Sequence, residues 1–246
     1  MQKMMGLLRR CVEDYDMIAD GDKIAVGVSG GKDSLVLLKL MAELRRYHNK
    51  KFEIEAITID MGLGMDFSGI EKLCAELDVP YTIVKTEIGP IIFDYRKEKN
   101  PCSMCAKMRR GALNQALKDR GCNKLALGHH YDDAVETFMM SLLFEGRISC
   151  FQPVTNLDRS GVIQIRPMLY LHERTVDNFA EKVKLPVLTN RCPVDKETKR
   201  EEVKQLLFDL SAKYPDLKER IFGAMQRYPL PEWEPRGRYR RPKDQE

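Results

Sequence analysis

The sequence predicts an α/β fold, a parallel sheet flanked by helices. Three observations support this prediction. Short apolar runs alternate with amphipathic segments up to Gly146, a glycine-rich turn follows the first apolar run, and 43% of the 246 residues are hydrophobic. Alternation favours a parallel sheet, because each crossover lays a helix on one of its faces. The composition excludes collagen-like, mucin-like and wholly disordered chains.

The elements follow in order along the chain. Residues 4–18 carry apolar side chains at helical spacing, and 24–28 (Ile-Ala-Val-Gly-Val) is typical of a buried strand. The spacing then predicts a helix over 35–47, strands over 52–59 and 81–84, a helix over 106–118, a strand over 125–127 and a helix over 132–144. Beyond Gly146 we expect a hairpin or loop over 149–161, an extended run over 162–166, and helices near 171–183 and 197–210.

The chain divides into an N-terminal helix (1–20), one domain (21–227) and a basic tail (228–246). The tail contains four prolines and little apolar content, so we expect a mobile extension. No run of about eighteen uncharged apolar residues occurs, and the N-terminus lacks the pattern of a secretory signal. We therefore expect a cytoplasmic protein without a membrane segment.

Residues 29–34, Ser-Gly-Gly-Lys-Asp-Ser, follow the first predicted strand and open the next helix. The free amides and the positive dipole end of a helix bind anions, and adjacent glycines allow close approach of the backbone. Lys32 adds a positive charge. The spacing matches neither GxxxxGK[ST] nor GxGxxG. The alternative is a plain helix start with Ser29 as its N-cap.

The seven cysteines are odd in number and irregularly spaced, which argues against a disulfide framework. Cys102 and Cys105 have CxxC ligand spacing at the start of a predicted helix, where basic neighbours favour metal-binding thiolates. A structural zinc site usually needs a second such pair, which this chain lacks. Thiolates also bind iron–sulfur clusters, and Cys192 is a third candidate. The alternative is that all three are unliganded.

Residues 128–133, Gly-His-His-Tyr-Asp-Asp, follow the predicted strand 125–127. They therefore fall at the carboxyl end of the sheet, on the same side as residues 29–34 (the phosphate loop), where such folds bind ligands. These side chains could hold magnesium or line a nucleotide. The alternative is a hydrogen-bonding turn in which Asp132 or Asp133 caps the next helix.

Together these motifs resemble a known family. SGGKDS resembles the pyrophosphate-binding PP-loop of the ATP pyrophosphatases. The series SGGKDS, PCSMCAKMRRG, LALGHHYDDAVET, IRPMLY and a single Cys192 resembles the tRNA 2-thiocytidine synthetase family over residues 20–226. One departure is that a second cysteine is missing near Cys192, where Asn190 or its neighbours stand instead.

The resemblance implies a Rossmann-like PP-loop ATPase fold, similar to adenine nucleotide α-hydrolases. It implies that ATP adenylates the C2 oxygen of cytidine 32 in tRNA and that sulfur then replaces this oxygen, with a 4Fe-4S cluster and Mg²⁺ as cofactors. Cys102, Cys105 and Cys192 would be the cluster ligands, and with Lys32 and Asp33 they form the implied catalytic set. The implied nucleotide site comprises Val28, Ser29, Gly30, Gly31, Lys32, Asp33, Ser34, Ile59, Met61, Gly128, His129 and Asp133.

The basic residues suit a nucleic-acid partner. Residues 96–110 hold six basic side chains against one acidic side chain, in a chain whose net charge is +4. We expect Arg109 and Arg110 to contact RNA phosphates and not the nucleotide pocket, with the target base splayed out of an anticodon loop. The alternative is a solvated basic face.

The resemblance also implies a sulfur donor, either a cysteine desulfurase or free sulfide, and a homodimer is one option. A 2-thiouridine synthetase would need paired zinc motifs, and a lysidine synthetase would not need the CxxC. Three alternatives stay open. These are a sulfurtransferase acting on another tRNA base, a sulfurtransferase or desulfurating enzyme acting on a small thiolated molecule, and a non-catalytic nucleotide sensor.

Overall fold

A computed structural model describes residues 1–95, 101–157, 161–189, 199–227 and Trp233. Its strands are β1 (Asp22–Gly27), β2 (Phe52–Asp60), β3 (Tyr81–Lys85), β4 (Lys124–Ala126), β5 (Val154–Leu157) and β6 (Val162–Ile165). They form one sheet in the order β3-β2-β1-β4-β6-β5. All neighbours are parallel except β5 and β6, which form an antiparallel hairpin at the edge. The predicted α/β class is confirmed, with this edge strand as the difference.

The helices are α1 (Gln2–Asp14), α2 (Lys32–Tyr47), α3 (Ser68–Glu76), α4 (Ile88–Pro90), α5 (Pro101–Asp119), α6 (Tyr131–Glu145), α7 (Glu173–Lys182), α8 (Lys199–Lys213) and α9 (Leu217–Arg227). A π-helical segment, Ile91–Tyr95, continues α4. The periodicity did not predict α3, α4 or α9. These helices bury few side chains, only three along α3, so their apolar repeat is too short to stand out.

The core fixes the start of α2. Nine residues of α2 are buried, among them Leu35, Leu38 and Met41 with no exposed surface. A helix that is apolar nearly all round lies inside a protein. Since β1 is also buried, the short turn between β1 and α2 is anchored at both of its ends.

The strand order reverses at β1. From β1 the chain builds β2 and β3 on one side of the sheet and β4 on the other. Such a switch point leaves a crevice beyond the carboxyl ends of the two diverging strands, here β1 and β4. The turns that follow these two strands carry two of the sequence motifs, residues 29–34 after β1 and residues 128–133 after β4.

Trp233 lies within the predicted tail, and its ring is fully buried. The indole nitrogen donates a hydrogen bond to the Phe151 carbonyl at 2.9 Å, and the ring packs against Phe222 with centroids 5.6 Å apart. Every other residue from 228 onward lies outside the described ranges, so the predicted domain boundaries stay a prediction. Among the described helices, none combines the length and apolar character needed to cross a bilayer.

Candidate functional site

A cleft of about 400 Å³ opens at the carboxyl ends of β1, β2 and β4. It brings together eight residues of the predicted nucleotide site: Val28, Ser29, Asp33, Ser34, Ile59, Gly128, His129 and Asp133. Six further residues line it: Gly27, Ile57 and Leu127 from the strands and their ends, Arg109 and Leu113 from α5, and Arg200 from α8. The two motifs therefore meet at the switch point of the sheet.

Four predicted residues do not line this cleft: Gly30, Gly31, Lys32 and Met61. Gly30 has a φ of +86° and is packed so closely under Leu188 that a Cβ would lie 2.8 Å from its Cδ1 atom. Its carbonyl accepts a hydrogen bond from the Leu188 amide at 2.9 Å. Gly30 therefore shapes the loop, since only glycine adopts that conformation readily.

The phosphate loop is held by its own serines. The Ser34 hydroxyl donates to the Gly31 carbonyl at 2.8 Å and accepts from the Ser29 amide at 3.2 Å. Gly31, and not Ser29, is the N-cap of α2, so the N-cap residue has no side chain to bond the first helical amides; the Ser29 hydroxyl accepts from the Gly31 amide at 3.3 Å. The first amides of α2 are therefore available to an anion, which argues against the plain capped helix start.

The Lys32 ammonium points toward α7. Its Nζ atom lies 2.6 Å from Asp177 Oδ1 and 3.2 Å from Glu173 Oε1. Burial lowers the pKa of Lys32, but the hydrogen bond to Asp177 and the charges of Asp33 and Glu173 outweigh this effect and raise it. A catalytic role for Lys32 stays a prediction, and it would require Lys32 to exchange these carboxylates for phosphate.

Asp33 presents an unsatisfied oxygen. Its Oδ1 atom is buried and has no hydrogen-bond partner among the described residues. Burial raises the pKa of this carboxyl, while the charges of His130 and Lys32 oppose the rise. An orphaned carboxylate oxygen in a polar cleft fits a hard cation such as Mg²⁺, which prefers oxygen ligands.

Gly128 sets the distance between the two motifs. A Cβ at this position would lie 3.0 Å from the Asp33 carbonyl carbon and 3.1 Å from the Ser34 amide nitrogen. We expect Gly128→Ala to lower the free energy of unfolding by about 1–3 kcal/mol, because backbone must shift to admit the methyl group. Urea denaturation measures the change.

The matched control for this substitution is Gly111→Ala in α5, where nothing lies within 4 Å of the added Cβ. There we expect a stabilisation of about 1 kcal/mol from helix propensity. A Gly128→Ala variant as stable as the wild type would contradict the close approach of the two motifs.

The second motif caps α6 with its own residues. The His130 Nδ1 atom accepts from the Asp133 amide at 3.3 Å, and Asp133 Oδ2 accepts from the His130 amide at 2.9 Å. Asp132 instead joins helices, since it accepts from the Lys218 ammonium at 2.6 Å and from the Glu173 amide at 2.7 Å. His130 is therefore the N-cap of α6, and Asp133 takes part as the N3 residue of a capping box, while its other oxygen faces Arg200 in the cleft.

His129 lines the cleft as a neutral ring. Its Nδ1 atom is buried without a partner in the described part of the chain, and its ring packs on Phe151 with centroids 4.8 Å apart. Burial, assisted by the charge of Arg166, lowers the pKa of His129 to about 4. The imidazole is therefore uncharged near pH 7, so it can form a hydrogen bond but supplies no positive charge.

Two buried groups should give opposite pH dependences of stability. Burial lowers the pKa of His129 from 6.5 to about 4, so protonation of this ring lowers the free energy of unfolding as the pH falls through this range. Burial raises the pKa of Glu136 from 4.5 to about 7, so protonation of this carboxylate raises the free energy of unfolding as the pH falls through that range. Each effect is on the order of 3 kcal/mol, and in the wild type they offset one another.

We therefore expect Glu136→Gln to lose stability as the pH falls from 6.5 to 4, and His129→Gln to gain stability as the pH falls from 7 to 4.5. Urea denaturation across this range measures both slopes. Parallel pH profiles for the two variants would contradict the assignment.

Cys102 and Cys105 lie in the first turns of α5, the former exposed and the latter half-buried. At about 100° per residue, Cys102, Cys105, Arg109 and Leu113 fall within about 80° of the helix circumference. Arg109 and Leu113 line the cleft. The CxxC pair therefore lies on the cleft-facing side of α5, and Cys105 precedes Arg109 by about 6 Å along the axis.

Several predicted residues lie outside the described ranges: Cys192, the basic residues 96–99, and those of the tail. No three His, Cys, Asp or Glu side chains gather as a metal site within the described ranges. The expectation that Arg109 avoids the nucleotide pocket is wrong, since Arg109 lines the cleft. Sequence reasoning missed Arg200 entirely, because no local motif marks it.

The chain is similar to several known proteins. A family model described as a PP-loop domain matches residues 4–210. The tRNA-cytidine(32) 2-sulfurtransferase of Geobacter sulfurreducens is 37% identical over 228 residues, covering 91% of this chain and 89% of the relative. That of Pelobacter propionicus is 38% identical over 220 residues, covering 88% and 82%. The solved U34-tRNA thiolase NcsA from Methanococcus maripaludis, with its 4Fe-4S cluster, is similar at a TM-score of 0.72 and 27% identity, covering 91% of this chain and 77% of that one.

Proposed function

The chain belongs to the PP-loop domain family and to its tRNA sulfurtransferases, and from this membership we propose that it forms 2-thiocytidine at position 32 of tRNA with ATP and a 4Fe-4S cluster. The observation that carries the proposal is the shared face of α5. Arg109 and Leu113 on this face line the cleft beside the phosphate loop, and the CxxC pair continues the same face. One helix thus joins the nucleotide site to the cysteine site.

The chemistry needs both sites. A C2 carbonyl oxygen of a pyrimidine is a poor leaving group, so it first attacks the α-phosphorus of ATP and pyrophosphate departs. A sulfur nucleophile then attacks C2, and AMP leaves with the original oxygen. The amides at the start of α2 and the cations of the cleft stabilise the charge on the phosphates during the first step.

The residues present fit the implied cofactors. The orphaned oxygen of Asp33 is suited to hold Mg²⁺ against the phosphates. The side chains of Cys102 and Cys105 sit one helical turn apart on α5, and Cys192 would supply the third thiolate. When bound, a cluster with three protein ligands supplies an open coordination position for the sulfur nucleophile. Arg109, one turn from Cys105, would orient the base or its adenylate between the two sites.

Pyrophosphate release tests the substrate class. Protein loaded with its cluster is mixed with ATP and Mg²⁺, and pyrophosphate is measured with tRNA, with a small thiolated base, and with neither. We expect release that depends on tRNA. Release driven by the small thiolated molecule alone would instead favour a desulfurating enzyme, and ATP binding without any release would favour a nucleotide sensor.

The remaining parts of the proposal rest on the chemistry of thiolation. The sulfur donor is a cysteine desulfurase or free sulfide. A homodimer is one option for the assembly. The compartment is the cytoplasm, where a tRNA substrate is present. Arg110, exposed beside Arg109 on α5, remains a candidate contact for tRNA phosphates.

A further inference from the structure

Arg200 forms a charged cluster that the sequence motifs do not explain. Its Nη1 atom lies 2.7 Å from Asp133 Oδ1 and 3.6 Å from Glu136 Oε2, and its Nη2 atom donates to Thr137 Oγ1 at 3.3 Å. The Arg200 side chain is 41% exposed, whereas those of Asp133 and Glu136 are 18% and 5% exposed. The guanidinium is therefore the outer member of the cluster, and it lines the cleft.

The charge balance of the cleft makes this position important. Its lining carries two carboxylates, Asp33 and Asp133, and two guanidiniums, Arg109 and Arg200, while His129 is neutral. The cation of the phosphate loop, Lys32, is paired with Glu173 and Asp177 on α7. Phosphates that enter between the two carboxylates need compensating charge, and in this arrangement the two arginines are placed to supply it.

We propose that Arg200 is a phosphate-binding residue of the cleft, which holds Asp133 in the free chain and turns to the nucleotide phosphates when they arrive. A guanidinium binds carboxylate and phosphate with the same planar fork, so one partner can replace the other. Asp133 stays in place during the exchange, because its Oδ2 atom accepts from the His130 amide at 2.9 Å. The inference rests on the proposed function in taking ATP as the ligand of the cleft.

Calorimetric titration of the cluster-loaded protein with ATP and with adenosine, each in the presence of Mg²⁺, tests the assignment. We expect Arg200→Gln to weaken ATP binding by about tenfold and adenosine binding by less than about twofold, since adenosine has no phosphate. Arg200→Lys keeps the positive charge without the planar fork, so its affinity for ATP should lie between those of the wild type and of Arg200→Gln. The control is Arg220→Gln in α9, where the side chain is 79% exposed and pairs with Asp216 at 3.8 Å; it should bind both ligands as the wild type does.

Equal losses of ATP and adenosine binding in both Arg200 variants would indicate a structural role and overturn the assignment. If Arg200→Gln binds ATP as tightly as the wild type does, the assignment of Arg200 is wrong, and the proposed function is unaffected. A wild-type protein that binds no ATP would overturn the proposed function and the assignment together.

Discussion

Cys102→Ala and Cys105→Ala are each expected to abolish cluster binding and tRNA thiolation together. Both cysteines lie on one face of α5, where each thiolate would bind one iron of the same cluster. A cluster left with fewer than three thiolates loses much of its affinity for the protein, so no partial activity should remain. Wild-type protein purified without oxygen should be brown and hold about four irons per chain, while the variants should be colourless.

The same loss is expected for Cys192→Ala, which tests the third ligand. The matched control is Cys122→Ala, because Cys122 is buried, 5% exposed, and lies beyond the C-terminal end of α5, away from the CxxC pair. It should keep its iron and its activity, with a loss of about 1 kcal/mol in stability from the missing sulfur. Full activity with bound zinc alone would contradict the iron–sulfur assignment.

Asp33→Asn should reduce pyrophosphate release by about 100-fold while leaving the fold intact, because it removes the negative charge that a magnesium ion needs. The fold should tolerate the change, since burial already raises the pKa of Asp33 and asparagine has the same shape without the charge. Steady-state release of pyrophosphate against Mg²⁺ concentration measures the effect, and the variant should need more magnesium than the wild type.

The control for this variant is Asp216→Asn, whose carboxylate is 73% exposed and pairs with Arg220. Its rate and its magnesium requirement should equal those of the wild type. An Asp33→Asn enzyme with the wild-type rate at every magnesium concentration would remove Asp33 from the site.

The meeting of the two motifs could be predicted from the sequence. Ser29 and Asp33 follow one buried strand and Gly128 and Asp133 follow another, and parallel strands present their carboxyl ends at one edge of the sheet. The shared edge is therefore determined by the parallel direction of the strands, which the alternation of apolar runs and amphipathic segments indicates. The contact of Gly128 with Asp33 is a detail of that same geometry.

Other features depend on tertiary packing and leave no local pattern. Lys32 belongs to the phosphate loop in sequence, yet its partners come from α7, more than 140 residues away. Arg200 reaches Asp133 across 67 residues, and ion pairs of this range have no spacing rule. β5 pairs antiparallel with β6, and the sequence pattern left this region open as hairpin or loop.

The proposed function requires the nucleotide cleft and the cysteine site to act together on a tRNA base. The most direct test is to incubate the cluster-loaded protein with unmodified tRNA, ATP, Mg²⁺ and sulfide, and to analyse the digested nucleosides by mass spectrometry. We expect 2-thiocytidine at position 32, formed only when ATP is present and absent with Cys105→Ala. Unmodified tRNA despite continued pyrophosphate release, or thiocytidine formed by the Cys105→Ala variant, would contradict it.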